Sequence, residues 1–262
     1  MEKGLIVIIM AGGLGKRMES DLPKVLHKVG KNPMLIQLLI KLRVLEKIQK
    51  IDQILIVVGK YRQIIQKTLE EYLDTDVITF IDQPNALGTG HAIQCCANEL
   101  SQYKNHNALI LSGDVPLLSA ELMYQMVRNV DIARIMTSIF DEPTGYGRII
   151  EYNGLLYGTG FDKIVEEKEC DELQKKVKKV NCGIYTFDCG ILCKYLPYLS
   201  NNNVQHEYYL TDILEIIKTN ENVDIEMCNI EKENHHEIIG VNTKAQLVEL
   251  EKILKNQEIK KN

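Results

Sequence analysis

An apolar run from Leu5 to Met10 breaks abruptly into glycine, and this junction constrains the fold more than any other feature. A short run with a β-branched middle reads as a strand covered on both faces that ends in a loop. That loop, MAGGLGKRMESDLPKVL over residues 10–26, brings Gly12, Gly13 and Gly15 together with Lys16, Arg17 and Lys24. Successive backbone N–H groups without intervening bulk cradle phosphate oxygens. Arg17 and Lys24 are suited to add charge-assisted hydrogen bonds to them. A surface turn with scattered basic residues fits the composition equally well. Two familiar phosphate loops are excluded. A Walker A loop needs Ser or Thr after its Lys, where Arg17 stands, and a dinucleotide fingerprint needs a small residue at Met18.

A strand that ends this way belongs to a repeating strand–helix pattern. Pro33 opens a helical stretch in which Met34, Leu35, Leu38, Leu39, Leu42, Leu45 and Ile48 recur at three- and four-residue spacing. Ile54–Val58 reads as a second strand ending at Gly59, followed by a helix over Tyr61–Tyr72. Val77–Ile81 is a third strand, Thr89–Leu100 a helix and Ala108–Leu111 a further strand. This alternation predicts an α/β fold, a mainly parallel sheet with helices on both faces. Ligands of such sheets sit beyond the carboxyl ends of the strands. Past residue 140, turns at Pro143–Gly147 and Asn153–Gly154 predict β-rich elaboration. The charged stretch Glu166–Lys179 reads as a solvated helix or loop. Val180–Phe187 resumes strand character, and helices are expected over Tyr209–Lys218 and Thr243–Lys255. Residues 1–255 are expected to form one domain, with 256–262 a frayed polar tail.

Charge and cysteine usage narrow the partners. The chain has 262 residues, and 31 Lys and Arg against 36 Asp and Glu leave a net charge of -5, with the two signs intermixed. No concentrated basic field offers itself to nucleic acid, although a local pocket still suits a small anion. The 7 Cys include no CxxC pair, so reduced thiols in a cytoplasmic core are expected rather than a zinc site. No apolar run reaches the roughly 20 residues of a membrane span, and the short N-terminal run is read as a strand rather than a signal peptide.

Two further segments leave predicted strands at their carboxyl ends. Asp114, in SGDVP, reads either as a magnesium ligand or as a cap on the next turn. In LGTGH, the glycines flanking Thr89 either admit a nucleotide base or make Thr89 an N-cap. TGYGR at 144–148 is a glycine-rich turn able to approach a sugar. His235 and His236, flanked by acids, are expected at the surface.

Together these segments resemble the nucleotide-sugar pyrophosphorylases. The loop at 10–26 matches their AxGxGxRM…PK signature. LGTGHA, GDVPL, PTGYGRI, IVEEK, VNCGIY, HEYYLTDI and GVNTKAQL then follow in order. The set is most similar to the uridylyltransferase domain of bacterial bifunctional N-acetylglucosamine-1-phosphate uridyltransferases, over nearly the whole chain. The resemblance implies a Rossmann-like nucleotide-binding lobe and a smaller β-rich sugar-binding lobe, with Mg2+ between the substrates. It implies that Gly12 and Gly13 lie against the nucleotide, that Arg17 and Lys24 hold its phosphates, and that Gln83, Gly88 and Thr89 read uracil. Gly147, Glu166 and Asn181 are implied at the amino sugar, and Asp114 and Asn242 at the metal. The expected reaction joins UTP and N-acetylglucosamine-1-phosphate into UDP-N-acetylglucosamine and pyrophosphate. Uridylyl or thymidylyl transfer to glucose-1-phosphate and a silent nucleotide-sugar sensor are the alternatives. The family's acetyltransferase β-helix, and the trimer that goes with it, are not expected here, so the oligomeric state is open between monomer and dimer. Ser112 stands in place of a common Tyr, Gly12 in place of an Ala, and Cys182 in place of a Thr beside Asn181.

Overall fold

The computed structural model of the chain describes residues 3–13, 15–154 and 158–261. In chain order the strands are β1 (Gly4–Met10), β2 (Lys28–Val29), β3 (Asn32–Pro33), β4 (Ile51–Val58), β5 (Ile78–Asp82), β6 (His106–Ser112), β7 (Ala133–Ile139), β8 (Arg148–Gly154), β9 (Gly158–Val165), β10 (Lys179–Asp188) and β11 (Glu226–Ile230). The helices are α1 (Met34–Leu45), α2 (Arg62–Tyr72), α3 (Thr89–Gln94), α4 (Ala97–Leu100), α5 (Ala120–Val127), α6 (Cys189–Tyr195), α7 (Asp212–Glu221) and α8 (Lys244–Lys261). The expected long helix from Thr89 is interrupted at Cys95 and Cys96, and α8 continues past residue 255. Asn153 and Gly154 end β8 rather than forming a turn, and the residues that follow them lie outside the described set.

The main sheet runs β11-β7-β10-β6-β1-β4-β5, with β8 paired to β10 and β9. Its neighbours are parallel except at β10, which runs against both β6 and β7. The β8–β9 hairpin is antiparallel and joins β10 at Arg148. A separate small antiparallel pair, β2–β3, follows the glycine loop.

The central strands β1, β4 and β6 are buried on both faces, as their continuous apolar runs require, whereas the edge strand β5 is only half-buried. In β1, Leu5, Val7 and Ile9 face a core shared with α1, α2 and α5, while Ile6 and Ile8 face one shared with α3, α6 and α7. This is the two-residue alternation of a pleated strand sandwiched between helix layers.

β1 lies between β4 and β6, so chain order reverses there and opens a crevice at the strands' carboxyl ends. Backbone hydrogen bonds tie the crevice loops together. Ala11 N–H donates to Val57 O at 2.8 Å, Gly113 N–H to Met10 O at 3.0 Å, and Gln83 N–H to Val58 O at 2.7 Å. Met18, the residue that spoils a dinucleotide fingerprint, anchors the far end of the glycine loop. It is fully buried in a small third core with Val29, Met34, Val241 and Leu250.

Candidate active site

A cleft of about 260 Å³ opens over the carboxyl ends of the strands, and Gly12, Gly13, Lys24, Gln83, Gly88, Thr89 and Asp114 all line it. The Gln83 side chain is oriented by its neighbours: Nε2 donates to Gly88 O at 3.1 Å and lies 3.2 Å from His91 Nδ1. Gly88 has φ +110°, and a Cβ there would stand 2.4 Å from Tyr208 O. Only glycine meets both demands. The N-cap alternative for Thr89 is not realised. Thr89 begins α3, and its Oγ1 accepts from Leu210 N–H at 3.1 Å. Gly90 N–H donates to Tyr208 O at 2.7 Å, so segment 208–210 clamps the 87–90 turn.

Lys24 closes the other end of the cleft. Its Nζ contacts Asp114 Oδ2 and donates to Asn242 Oδ1 at 3.0 Å. Gly15, at φ +57°, makes this placement feasible, since a Cβ there would stand 2.9 Å from Lys24 Cβ. Asp114 caps no helix: Ser119 does that for α5, accepting from Leu122 N–H. Its carbonyl instead accepts from Val241 N–H at 2.9 Å, which brings the chain before α8 against the end of β6. The pair Asp114 and Asn242 therefore presents oxygens to one cation, here an ammonium. Oxygen ligands of this kind, few and on one side, suit magnesium, which keeps waters and takes substrate phosphates as further ligands. Among the described residues no cluster of three or more His, Cys, Asp or Glu forms a metal cage.

A second cleft, about 810 Å³, meets the first at Lys24 and Glu207. Arg17 is exposed along it, with Asn242, Gly145, Glu166 and Glu167. Gly147 and Asn181 converge on Glu166. A Cβ at Gly147 would lie 3.5 Å from Glu166 Oε2 and 3.7 Å from Asn181 Cβ. The Asn181 amide is occupied internally, Nδ2 donating to Tyr185 Oη at 2.6 Å and Oδ1 accepting from Gly183 N–H at 2.8 Å. Burial pushes the Glu166 carboxyl up, against the hydrogen bond from Thr211 Oγ1 at 2.8 Å, and the charges of Glu207 and Glu169 add to the rise. Asp212 is pushed up to about 6, by burial first and then by Glu166, Glu215 and Glu169. Beside Asn181, burial also pushes the Cys182 thiol up.

Ten of the twelve anticipated residues line the two joined clefts, whereas Gly147 and Asn181 line neither and stand behind Glu166. Four features escape sequence reasoning. Glu207 lines both clefts, Thr211 holds Glu166, Met18 anchors the loop, and Arg148 is buried against Glu167. For Glu207 and Thr211 the segment HEYYLTDI is the available signal. His235 is half-buried, not free at the surface, packing on Phe140 and lying 2.7 Å from Ser138 Oγ.

Residues 7–151 match the MobA-like NTP transferase domain. The chain belongs to that family. It is a nucleotidyltransferase of the nucleotide-sugar pyrophosphorylase kind, acting on a sugar phosphate. It is 39% identical over 255 residues to a protein of Acanthamoeba polyphaga mimivirus named as a probable UDP-N-acetylglucosamine pyrophosphorylase, covering 96% of each chain. It is also 39% identical over 257 residues to the bifunctional protein GlmU of Clostridium botulinum, covering 95% of this chain and 52% of that one. The chain therefore spans about half the length of the bifunctional relatives it matches. A crystal structure of UDP-glucose pyrophosphorylase complexed with UDP-glucose shares the fold, with a TM-score of 0.74 at 15% identity over 98% of this chain and 100% of that one. Dependence on a divalent metal is typical of such enzymes. No helix among the described residues is long and apolar enough to cross a membrane.

Proposed function

We propose that this chain transfers the uridylyl group of UTP to N-acetylglucosamine-1-phosphate, giving UDP-N-acetylglucosamine and pyrophosphate. The meeting of the two clefts at Lys24, beside Asp114 and Asn242, carries the reading. A nucleotide in the first cleft and a sugar phosphate in the second would present their phosphates to each other at that point. The mimivirus relative, matched along nearly its full length, supports the choice of sugar and nucleotide.

In this reading Gln83, Gly88 and Thr89 receive uracil, and the Gly12–Gly13 backbone lies along the nucleotide. Arg17 and Lys24 hold the triphosphate so that the sugar phosphate oxygen attacks the α-phosphorus in line. The bond to the pyrophosphate oxygen breaks as the new P–O bond forms, and pyrophosphate leaves with the electron pair. No general base is needed, because the attacking phosphate is already anionic. Gly147, Glu166 and Asn181 form the wall that receives the amino sugar. Asp114 and Asn242 would hold Mg2+, which when bound neutralises phosphate charge and polarises the reacting phosphoryl group. Freed from Asp114, the Lys24 ammonium becomes available to the phosphates.

Pyrophosphate release across UTP, dTTP, CTP and ATP against four sugar-1-phosphates (N-acetylglucosamine, glucosamine, N-acetylgalactosamine and glucose) tests the reading. The highest kcat/KM is expected for UTP with N-acetylglucosamine-1-phosphate. A maximum at glucose-1-phosphate would move the enzyme to a sister specificity. Nucleotide-sugar binding without turnover in any pair would make it a sensor.

A further inference from the structure

Arg148 is a charged side chain placed where charge is costly. It is the first residue of β8, pairs with β9 at Val165 and with β10 at Val180, and is 1% exposed. Its Nη2 meets Glu167 Oε2 at 2.7 Å, and its Nη1 donates to the carbonyl of Tyr146. Its Nε is also buried and has no partner among the described residues. Replacing a buried ion pair with apolar residues often costs nothing or stabilises, so stability alone does not explain this guanidinium.

Its partners explain it better. Glu167 Oε2 also accepts from Gly145 N–H at 3.1 Å, so one carboxylate oxygen joins Arg148 to the turn of the TGYGR segment. Arg148 grips the same turn again at Tyr146 O, and the Tyr146 ring packs edge-on against Phe140 at 4.9 Å. Gly145 has φ +89° and no neighbour that a Cβ would touch, so its own packing does not hold it. Between these fixed points lies Gly147, whose carbonyl accepts from Asn181 N–H at 2.9 Å and which lies beside Glu166.

We propose that Arg148 is a positioning residue for the sugar-phosphate cleft, using Glu167 to hold the 145–147 wall in register with Glu166 and Asn181. This rests on the second cleft receiving the sugar phosphate. Arg148 itself touches no substrate. The nucleotide cleft has no share in the clamp, because its loops are held by backbone hydrogen bonds at the ends of β1, β4 and β6.

The test is a separation of the two KM values. In Arg148→Met the KM for N-acetylglucosamine-1-phosphate should rise about 10-fold or more, with the UTP KM within about two-fold of wild type, since a misplaced wall weakens one substrate only. Arg148→Lys keeps the charge but loses the planar fork, so it should recover part of the difference. Arg148→Met combined with Glu167→Met removes the buried charge pair altogether. Its melting temperature should return close to that of wild type while the sugar-phosphate KM stays raised.

A merely structural Arg148 predicts the opposite, with KM recovering together with melting temperature in the double variant, and that result overturns the proposal. Equal rises in both KM values, or no change in either, overturn it too. Should Arg148→Met fail to fold, Glu167→Ala cuts the same clamp at a side chain 29% exposed, and the same separation is required of it. Absence of wild-type turnover on every sugar-1-phosphate overturns the substrate reading and the clamp together. Wild-type turnover with unchanged variant KM values overturns the clamp alone.

Discussion

The cleft proposed for the nucleotide and the cleft beside it are held by different means. Loops of the first leave β1, β4, β5 and β6, of which β1, β4 and β6 are buried between two helix layers and β5 is a half-buried edge strand, and main-chain hydrogen bonds cross-tie them. Side chains matter there mainly by their absence, as at Gly88. The second cleft borders the β8–β9 hairpin, which reaches the main sheet through β10 and is braced by Arg148–Glu167 and by Glu166–Thr211. Burial pushes the Glu166 carboxyl up there, while the hydrogen bonds from Arg148 and Gly145 outweigh burial at Glu167 and hold its carboxyl below the usual range. A backbone-built site resists most side-chain changes, whereas a site built from ion pairs and buried acids is open to tuning by single substitutions and by pH.

The largest expected effect lies at the junction, where the comparison should break down because both clefts depend on it. Asp114→Ala should lower kcat on the order of 10³-fold, since the proposed mechanism makes Asp114 a metal ligand near the reacting phosphates, a role worth several kcal/mol. Steady-state rates together with a circular dichroism spectrum check this, and full activity in the folded variant would remove Asp114 from the mechanism.

Next comes a change confined to the nucleotide side. Gly88→Ala should raise the UTP KM and cost about 1–3 kcal/mol of stability, because a Cβ cannot occupy that left-handed backbone against Tyr208 O. The KM for the sugar phosphate should move much less. Urea denaturation and initial rates decide it, and an unchanged UTP KM would contradict the placement of the nucleotide.

The smallest effect sharpens the contrast from the other side. Asp212 is pushed up from 3.8 to about 6, first by burial and then by Glu166, Glu215 and Glu169. A carboxyl raised on folding contributes stability that is present below its unfolded value and lost as pH climbs through the folded one. Asp212→Asn should therefore melt about 2–4 °C higher than wild type at pH 7.5, which corresponds to about 1 kcal/mol once solvent screening of this partly exposed group is allowed for. At pH 4 the two proteins should differ little. A difference that does not change between the two pH values would show that the acidic group near Glu166 is not electrostatically strained.

Much of the nucleotide half is legible in the amino-acid sequence. Local rules govern it: apolar runs mark doubly buried strands, and a glycine after such a run marks a loop that must pass close to something. The predicted strands at Leu5–Met10, Ile54–Val58, Val77–Ile81 and Ala108–Leu111 each fall within a residue or a few of the observed ones. The break at Cys95–Cys96 is not visible there, because apolar residues continue through it at helical spacing. The second half is harder. Glu166 and Glu167 read as part of a solvated charged stretch, since no local pattern separates a buried carboxylate from an exposed one when its partner is far along the chain. Thr211 lies 45 residues from Glu166.

The sequence by itself determined a doubly covered sheet with a glycine-and-cation loop at the end of its first strand, because burial and backbone freedom are written in neighbouring residues. Tertiary structure alone decided that β10 would run against the strands beside it, and that Lys24 would meet Asp114 and Asn242, 90 and 218 residues away. It also decided that the Arg148 charge would be enclosed with Glu167. Ion pairing and desolvation depend on three-dimensional neighbours, and those neighbours exist only once the sheet has closed.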